Sequence, residues 1–411
     1  MDALAATLKA AYPRALATLM RLLQDIDAAE DAVQEAMTRA LEVWPGEGIP
    51  SNPVAWLVTT GRNKVIDLHR RHKREVRYQE SLLATVDDNL WNSEISEAVV
   101  RQQFDDGLLR LIFTCCHPAL LQDEQIALTL KTVAGLTVPE IARAFLVPPK
   151  TLEQRLTRAK RKIRDKRIPY AVPTAAELPT RLDTVLAVIY VLFNEGYSAS
   201  GDSELIRAEL CNEAIRLARM LSRLFRAEAE VTGLLALLLL QHARYRARVD
   251  GAGNIIPLDE QNRGFWNHIL ITEGRALVEK ALRQKRPGPY QIQAAIAAVH
   301  GEAARAEDTD WAQIAELYRV LEHYQPSPVV TLNRAVAVAK VQGAKAGIAL
   351  LRTIENAAEI RRYHHFHAAL AALLAEDNQP GSAIAAYEKA LSLTQNPSER
   401  AFIRRKISSL K

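Results

Sequence analysis

The sequence predicts an all-α fold divided into several domains. Its 411 residues exceed the size of one ordinary domain, and 48% of them are hydrophobic, which is enough to build real cores. Glycine and proline are sparse, at 17 and 18 residues, and no stretch sustains the apolar–polar alternation of a half-buried strand. We therefore expect two small helical domains followed by a larger helical-repeat domain.

The first predicted domain covers residues 1–77 and begins with an acidic helix. Within residues 27–41, small apolar side chains recur at helical spacing and predict a buried stripe formed by Ala29, Ala32, Val33, Ala36 and Ala40. The outer face of the same helix carries Asp31, Gln34 and Glu35. Because an acidic face repels DNA, this face is either a solvated surface or a docking surface for a protein.

A basic helix follows in the same domain. We expect a loop after Pro45 and a helix that begins at Asn52 and Pro53, which are residue types that favour a helix start. Residues 62–77 hold seven Lys and Arg against two acids, so this segment can contact a polyanion. We interpret Trp56, near the apolar beginning of the helix, as a core residue.

Residues 78–103 form a polar, acidic linker without glycine or proline, and the predicted second domain, residues 104–168, contains a helix-turn-helix. Thr137 and Glu140 have the spacing of a capping box, which starts a short helix. Pro148 and Pro149 interrupt the chain before a second helix. The apolar stripe of that second helix is Leu152, Leu156, Ala159 and Ile163.

The opposite face of the second helix is basic. Residues 150–167 contain nine Lys and Arg against two acids, and the outward positions are Gln154, Arg155, Arg158, Arg161 and Lys162. Glutamine and arginine can bond base edges in the major groove with two hydrogen bonds each. A helix with this face, braced by a short preceding helix, favours DNA binding over an ordinary hairpin with a solvated basic surface.

The remaining segment, residues 180–411, begins after two prolines, Pro169 and Pro173, that stop the basic helix. It repeats weakly every 34 to 36 residues: residues 346–351 reappear as 382–387, and each copy follows an alanine-rich helix, 332–341 or 366–375. Residues 211–225 and 230–246 form a similar earlier pair. Repeated helix pairs with small residues resemble a tetratricopeptide-like array, although plain bundles also contain such hairpins.

The first 168 residues together resemble the region 2 and region 4 pair of sigma-70-type RNA polymerase sigma factors. The residues that carry the resemblance are the string 29–36 (AEDAVQEA), Trp56-Leu57, Arg62-Asn63 and Asp67, followed about 70 residues later by the helix-turn-helix. In that family the first domain binds core RNA polymerase and opens promoter DNA near the −10 element, and the second reads the −35 element. The resemblance therefore implies core RNA polymerase and promoter DNA as partners.

Carried over position by position, the resemblance implies three sets of site residues. The polymerase-facing residues are Asp31, Gln34 and Glu35. The residues near the −10 strand are Asn63, Lys64, Asp67, Arg70 and Arg71. The residues facing the −35 element are Lys150, Thr151, Gln154, Arg155, Arg158 and Arg161.

The lack of a region-three domain between the two modules resembles the small extracytoplasmic-function class of sigma factors, in its subgroup with a long tetratricopeptide-like extension. We expect that extension to control activity, through a regulatory protein or as an intramolecular partner. Residue patterns leave a second interpretation open, in which the chain is a conventional helix-turn-helix regulator with a repeat-type sensor domain. A third interpretation is a helical-repeat scaffold whose basic helices are only solvated surfaces.

Other functions are less well supported by the sequence. Its three cysteines include the neighbours Cys115 and Cys116, beside His117, and adjacent cysteines are poorly spaced to bind one zinc ion. No glycine-rich phosphate loop, serine elbow or zinc-protease motif occurs, so we predict neither an enzyme nor a cofactor. The chain opens without a basic leader and its longest apolar run, residues 234–240, is short, so we expect a cytoplasmic protein without membrane contact.

Overall fold

A computed structural model describes residues 2–71, 107–144, 147–197, 208–251 and 254–411 of the chain. The chain divides into two compact units, residues 1–189 and 190–411. Regular structure in the described ranges is helical, apart from one isolated antiparallel bridge between Val249 and Ile255. The prediction of an all-α fold is therefore confirmed.

The first unit is built from seven helices in the described ranges and the first part of an eighth. These are α1 (Asp2–Leu23), α2 (Ile26–Glu47), α3 (Pro53–Arg71), α4 (residues 107–115), α5 (Gln122–Thr132), α6 (Val138–Ala144), α7 (Pro149–Asp165) and α8 (Leu178–Tyr197). Helices α1, α2 and α3 pack on one another, and α5, α6 and α7 form a second group. The predicted linker, residues 78–103, lies outside the described residues.

The acidic helix α2 is longer than the sequence predicts. The side chain of Asp25 caps its first turn by accepting a hydrogen bond from the N–H of Ala28 at 2.9 Å. The helix continues through Pro45 to Glu47, so the loop predicted after Pro45 begins three residues later, at Gly48. A proline in the last turn removes one backbone donor but has a φ angle that suits a helix, and the chain leaves the helix only at Gly48, where φ is 87°.

The second unit is a succession of paired helices. It contains the end of α8, then α9 (Ala208–Leu224), α10 (Ala229–His242), α11 (His268–Leu282), α12 (Pro289–Glu302), α13 (Trp311–Tyr324), α14 (Pro328–Gln342), α15 (Ala344–Ile354), α16 (Ala358–Arg361), α17 (His364–Glu376), α18 (Pro380–Leu393) and α19 (Pro397–Ser408). Helices adjacent in the chain pack together from α9 to α15, and again from α17 to α19. The two segments predicted to repeat lie in the successive pairs α14–α15 and α17–α18.

Small residues allow the paired helices to approach closely. A Cβ atom on Gly347 of α15 would lie 2.7 Å from the Cβ of Ala339 and 2.8 Å from the carbonyl oxygen of Ala335, both on α14. Ala383, which occupies the corresponding repeat position on α18, is fully buried. The small residues of the repeated motif thus lie where one helix crosses another.

In the described part of the chain, none of the helices combines the length and the apolar character that crossing a bilayer requires.

Candidate nucleic-acid interface

The short helix α6 begins with the capping box predicted from the sequence. The carboxylate of Glu140 accepts a hydrogen bond from the backbone N–H of Thr137 at 2.7 Å, and the hydroxyl oxygen of Thr137 accepts one from the N–H of Glu140 at 3.3 Å. Burial works to raise the pKa of Glu140, but hydrogen bonds from Thr137 and Lys9 outweigh it and hold the pKa below its usual value. Ile141 and Ala142 point into the core, so α6 is fixed against its neighbours.

Helix α7 presents one apolar and one basic face. Pro149 stands at its first position, where the missing N–H of proline costs nothing, because a backbone N–H there would have no acceptor within the helix. The residues of its predicted apolar stripe are all buried, which confirms that prediction: Leu152, Leu156, Ala159 and Ile163. The exposed positions of the helix lie on its other side.

Four of the six residues predicted to face the −35 element are exposed on α7: Lys150, Gln154, Arg158 and Arg161. Because they are spaced by three or four residues, they lie along one side of the helix, which we name the basic face. Thr151 and Arg155 are partly buried, and a nitrogen of Arg155 lies 3.3 Å from a carboxylate oxygen of Asp123. The structure thus brings all six together on one helix, but two of them already have acidic partners: Arg155 pairs with Asp123, and Arg161 pairs with Asp165 at 3.3 Å.

Lys162, predicted to lie on the outer face of α7, instead contacts helix α5. Its ammonium group lies 2.7 Å from the carboxylate of Glu124, whose side chain is only 5% exposed. Burial works to raise the pKa of Glu124, but hydrogen bonds from Lys162 and from the backbone N–H of Leu121 hold it below its usual value. The placement of Lys162 outside was therefore wrong, because a buried carboxylate on α5 requires a cation.

Two further cations of α7 pair with the acidic helix α2. The ammonium group of Lys160 lies 2.6 Å from Glu30 and 3.0 Å from Asp27, and Arg164 lies 3.5 Å from Asp27. Burial works to lower the pKa of Lys160, but the two carboxylates outweigh it and raise the pKa. We name these contacts the α2–α7 ion pairs. Sequence reasoning missed them because the partners are about 130 residues apart and no local pattern marks them.

The buried and exposed sides of helix α2 are those that the sequence predicts. The predicted apolar stripe, from Ala29 to Ala40, is buried, and Asp31, Gln34 and Glu35 are exposed. The three predicted polymerase-facing residues therefore occupy one accessible side of α2. Two acids near the beginning of this helix face α7 instead: Asp27 and Glu30, of which Glu30 is only 9% exposed.

Helix α3 carries the residues predicted to lie near the −10 strand. Asn63 is exposed. The other four belong to the helical stretch that ends at Arg71, but their side chains lie outside the described residues: Lys64, Asp67, Arg70 and Arg71. Trp56 is half-buried and meets Trp44 edge to face, with ring centroids 5.3 Å apart, which agrees with its interpretation as a packing residue.

Gly61 fixes the position of α3, although the sequence analysis overlooked it. A Cβ atom there would lie 2.8 Å from the carbonyl oxygen of Ala32 on α2. A glycine inside a predicted helix is the signal that could have revealed this close crossing.

The neighbouring cysteines lie at the end of α4 and pack against α5. The sulfur of Cys115 lies 3.1 Å from the hydroxyl of Thr132, and that of Cys116 lies 3.5 Å from the hydroxyl of Thr129. Desolvation by burial raises the pKa of the Cys116 thiol to about 11 and that of Cys115 further. Burial therefore favours the neutral thiol over the thiolate at both positions.

Three parts of the chain match described protein families. Residues 8–75 match sigma-70 region 2, residues 110–163 match sigma-70 region 4, and residues 181–282 match a family of unknown function, DUF6596. The exposed acids of α2 and the basic face of α7 thus lie within the region 2 and region 4 matches, respectively. No solved structure gives a significant match.

Two curated proteins are similar to this chain. The uncharacterized protein R00370 of Rhizobium meliloti (strain 1021) is 47% identical over 404 residues, which cover 98% of this chain and 95% of that protein. The ECF RNA polymerase sigma factor SigK of Mycobacterium tuberculosis (strain CDC 1551 / Oshkosh) is 27% identical over 160 residues, covering 37% of this chain and 79% of that protein. The chain therefore belongs to one family with R00370, and its region 2 and region 4 domains make it a sigma-70-type RNA polymerase sigma factor for transcription initiation.

Proposed function

We propose that this chain is a sigma factor of the extracytoplasmic-function class that recognises two promoter elements while bound to core RNA polymerase. The similarity of its first two domains to the ECF sigma factor of Mycobacterium tuberculosis supports the class. The observation that carries the proposal is the pairing, within one unit, of an exposed acidic side on α2 with a basic face on α7. The first can bind a protein and the second can bind DNA.

The basic face is suited to duplex DNA. Arg158 and Arg161 can contact phosphates or guanine edges, and Gln154 can bond adenine in the major groove. The buried stripe of α7 and the capped brace helix α6 hold these side chains in a fixed orientation, which direct readout requires. In the region 4 domain we assign this face, with Thr151 and Arg155, to the −35 element.

The exposed side of α2 is suited to a protein partner. Asp31, Gln34 and Glu35 project from a helix whose opposite side is buried, so they form a rigid polar surface. We assign them to core RNA polymerase. We assign Asn63, with Lys64, Asp67, Arg70 and Arg71, to single-stranded DNA near the −10 element.

Run-off transcription with purified core RNA polymerase tests the proposal. The natural chain is expected to give RNA from one promoter-specific start. A Lys150→Glu and Arg158→Glu variant should retain core binding and lose about tenfold or more in promoter-specific RNA, because each reversed charge opposes phosphate. An Asp31→Lys and Glu35→Lys variant should instead lose core binding, measured by gel filtration of the mixture.

A matched control is the Arg283→Glu and Arg352→Glu variant, which reverses two exposed arginines of the second unit and should transcribe normally. Normal transcription by both test variants would contradict the proposal. Binding to duplex operator DNA without polymerase, with no effect on start-site choice, would favour the conventional helix-turn-helix regulator. The absence of salt-sensitive DNA binding would favour a helical scaffold.

For the second unit, we propose a tetratricopeptide-like array that controls the activity of the first. Paired helices in succession and small residues at their crossings support the array. Such arrays build concave surfaces that bind peptides or partner proteins. The step that the second unit would control is the assembly of the first unit with core RNA polymerase and promoter DNA.

A further inference from the structure

A cavity of about 350 Å³ opens within the second unit, between the segment after α10 and the last helices of the chain. Part of its wall is apolar and includes Ile255 and Phe402. The polar part includes two arginines, two histidines and one glutamate, namely Arg244, Arg248, His364, His365 and Glu399. The surfaces proposed for core RNA polymerase and promoter DNA lie in the first unit and do not include this cavity.

Three metal-ligating side chains meet at its wall. His364 and His365 stand at the beginning of α17, and Glu399 stands in the first turn of α19. The ring centroids of the histidines are 3.9 Å apart, and Nε2 of His364 lies 3.0 Å from Oε2 of Glu399. One donor atom from each residue lies within 4.8 Å of the other two.

The carboxylate of Glu399 is held in place by its surroundings. The Thr394 hydroxyl donates a hydrogen bond to Oε2, and the side chain of Asn396 caps the first turn of α19. Among the contacts of the described residues, Glu399 uses Oε2, so Oε1 remains available for coordination. Outer partners of this kind orient metal ligands and strengthen binding.

The arginines of the cavity do not take up the carboxylate. Arg244 donates to the hydroxyl of Tyr197 at 3.0 Å, and the guanidinium of Arg248 lies 3.7 Å from the centroid of the Tyr197 ring. Both cations are therefore held at Tyr197, and the described partners of Glu399 are His364 and Thr394. An ion pair between His364 and Glu399 does not involve the imidazole of His365, which lies in the same cluster.

We propose that His364, His365 and Glu399 hold one divalent transition-metal ion, such as Zn²⁺, at the wall of this cavity. Two imidazoles and one carboxylate suit Zn²⁺ and its first-row neighbours rather than Mg²⁺ or Ca²⁺. Tetrahedral ligands about 2.1 Å from a zinc ion stand roughly 3.4 Å apart, so small side-chain rotations complete the set. Three protein ligands leave one position open for a small oxygen donor inside the cavity.

Calorimetric titration of Zn²⁺ into the full, chelator-treated chain at neutral pH tests the site and needs no transcription assay. We expect one ion per chain, with a Kd on the order of micromolar or tighter. Glu399→Gln and His365→Ala should each weaken binding by about tenfold or more. Zn²⁺ should also raise the thermal midpoint of the natural chain, and it should raise that of the two variants less.

His367→Ala is the matched control, because His367 lies on the same helix and its Nε2 contacts the carbonyl of Arg361 instead. This variant should bind Zn²⁺ as the natural chain does. His365→Ala also guards against misfolding, since it spares the contact between His364 and Glu399. The proposal is overturned if the natural chain takes up no Zn²⁺ at saturable stoichiometry, if both test variants bind as tightly as it does, or if His367→Ala weakens binding equally.

Discussion

At the scale of single residues, Gly347 gives a direct test of helix packing in the second unit. An added methyl group would lie 2.7 Å from the Cβ of Ala339 and 2.8 Å from a δ-carbon of Leu373. Because the backbone of Ala335 also blocks the space, we expect Gly347→Ala to lower the free energy of unfolding by about 1–3 kcal/mol, despite the better helix propensity of alanine.

Gly381 supplies the control for that substitution. It stands near the beginning of α18, and nothing lies within 4 Å of an added Cβ atom. Gly381→Ala should therefore leave the free energy of unfolding unchanged or raise it by up to about 1 kcal/mol. Denaturant unfolding followed by circular dichroism measures both variants. Equal stability of the two would show that α14 and α15 are not in close contact.

Individual residues also show where sequence reasoning works. The capping box of Thr137 and Glu140 and the buried stripe of α7 follow from local spacing, because both depend on neighbours within two helical turns. Lys162 was misplaced for the opposite reason, since the carboxylate that binds it lies 38 residues earlier, on α5. Sequence spacing indicates which face of a helix is polar, but it does not indicate which polar residue has a distant partner.

At the scale of helices, the contact between α2 and α7 should contribute measurably to stability. The side chains of Lys160 and Glu30 are only 18% and 11% exposed, and their charged atoms are 2.6 Å apart. A double-mutant cycle with Lys160→Met and Glu30→Gln should give a coupling free energy of about 1–3 kcal/mol, because Lys160→Met leaves the buried carboxylate of Glu30 without its cation.

The pair between Lys9 and Glu140 is a control from the same unit. Its charged atoms are 3.0 Å apart, but the side chains are 49% and 35% exposed, so water screens them. A cycle with Lys9→Met and Glu140→Gln should give less than about 1 kcal/mol. If the Lys160–Glu30 cycle gave no larger value than this control, the α2–α7 ion pairs would not hold the first unit together.

Helix pairs in the second unit were predictable, whereas the cavity was not. The repeat of small residues at positions 346–351 and 382–387 predicts two similar hairpins, and both segments are helical. The histidines and Glu399 lie on different helices, 34 or 35 residues apart in the sequence, and each is unremarkable in its own helix. Their donor atoms come together only because α17 packs on α18 and α18 packs on α19, and sequence periodicity does not indicate this meeting.

At the scale of the whole molecule, the two units allow the proposed regulation to be tested by truncation. A chain that ends at Ile189 retains both sigma-70 matches and every residue of the first unit. We expect it to bind core RNA polymerase and to change promoter-specific run-off RNA by about fivefold or more, which corresponds to a coupling free energy of 1–3 kcal/mol.

Circular dichroism of the truncated chain must first show a helical, cooperatively unfolding protein. An unchanged amount of RNA from the same start would contradict control by the second unit. A restored amount after adding residues 190–411 as a separate chain would show that control does not need the covalent connection.

The α2–α7 ion pairs have a thermodynamic consequence. A protein that captures the carboxylates of Asp27 and Glu30 releases the cations of Lys160 and Arg164, which become available to a polyanion at the same moment. Two ligands that each replace the same internal contact promote each other's binding. Thermodynamic linkage then requires that each ligand raise the affinity of the chain for the other by the same factor. This chain would then bind its protein and its nucleic acid with positive heterotropic cooperativity, and would be a weak ligand for either one alone.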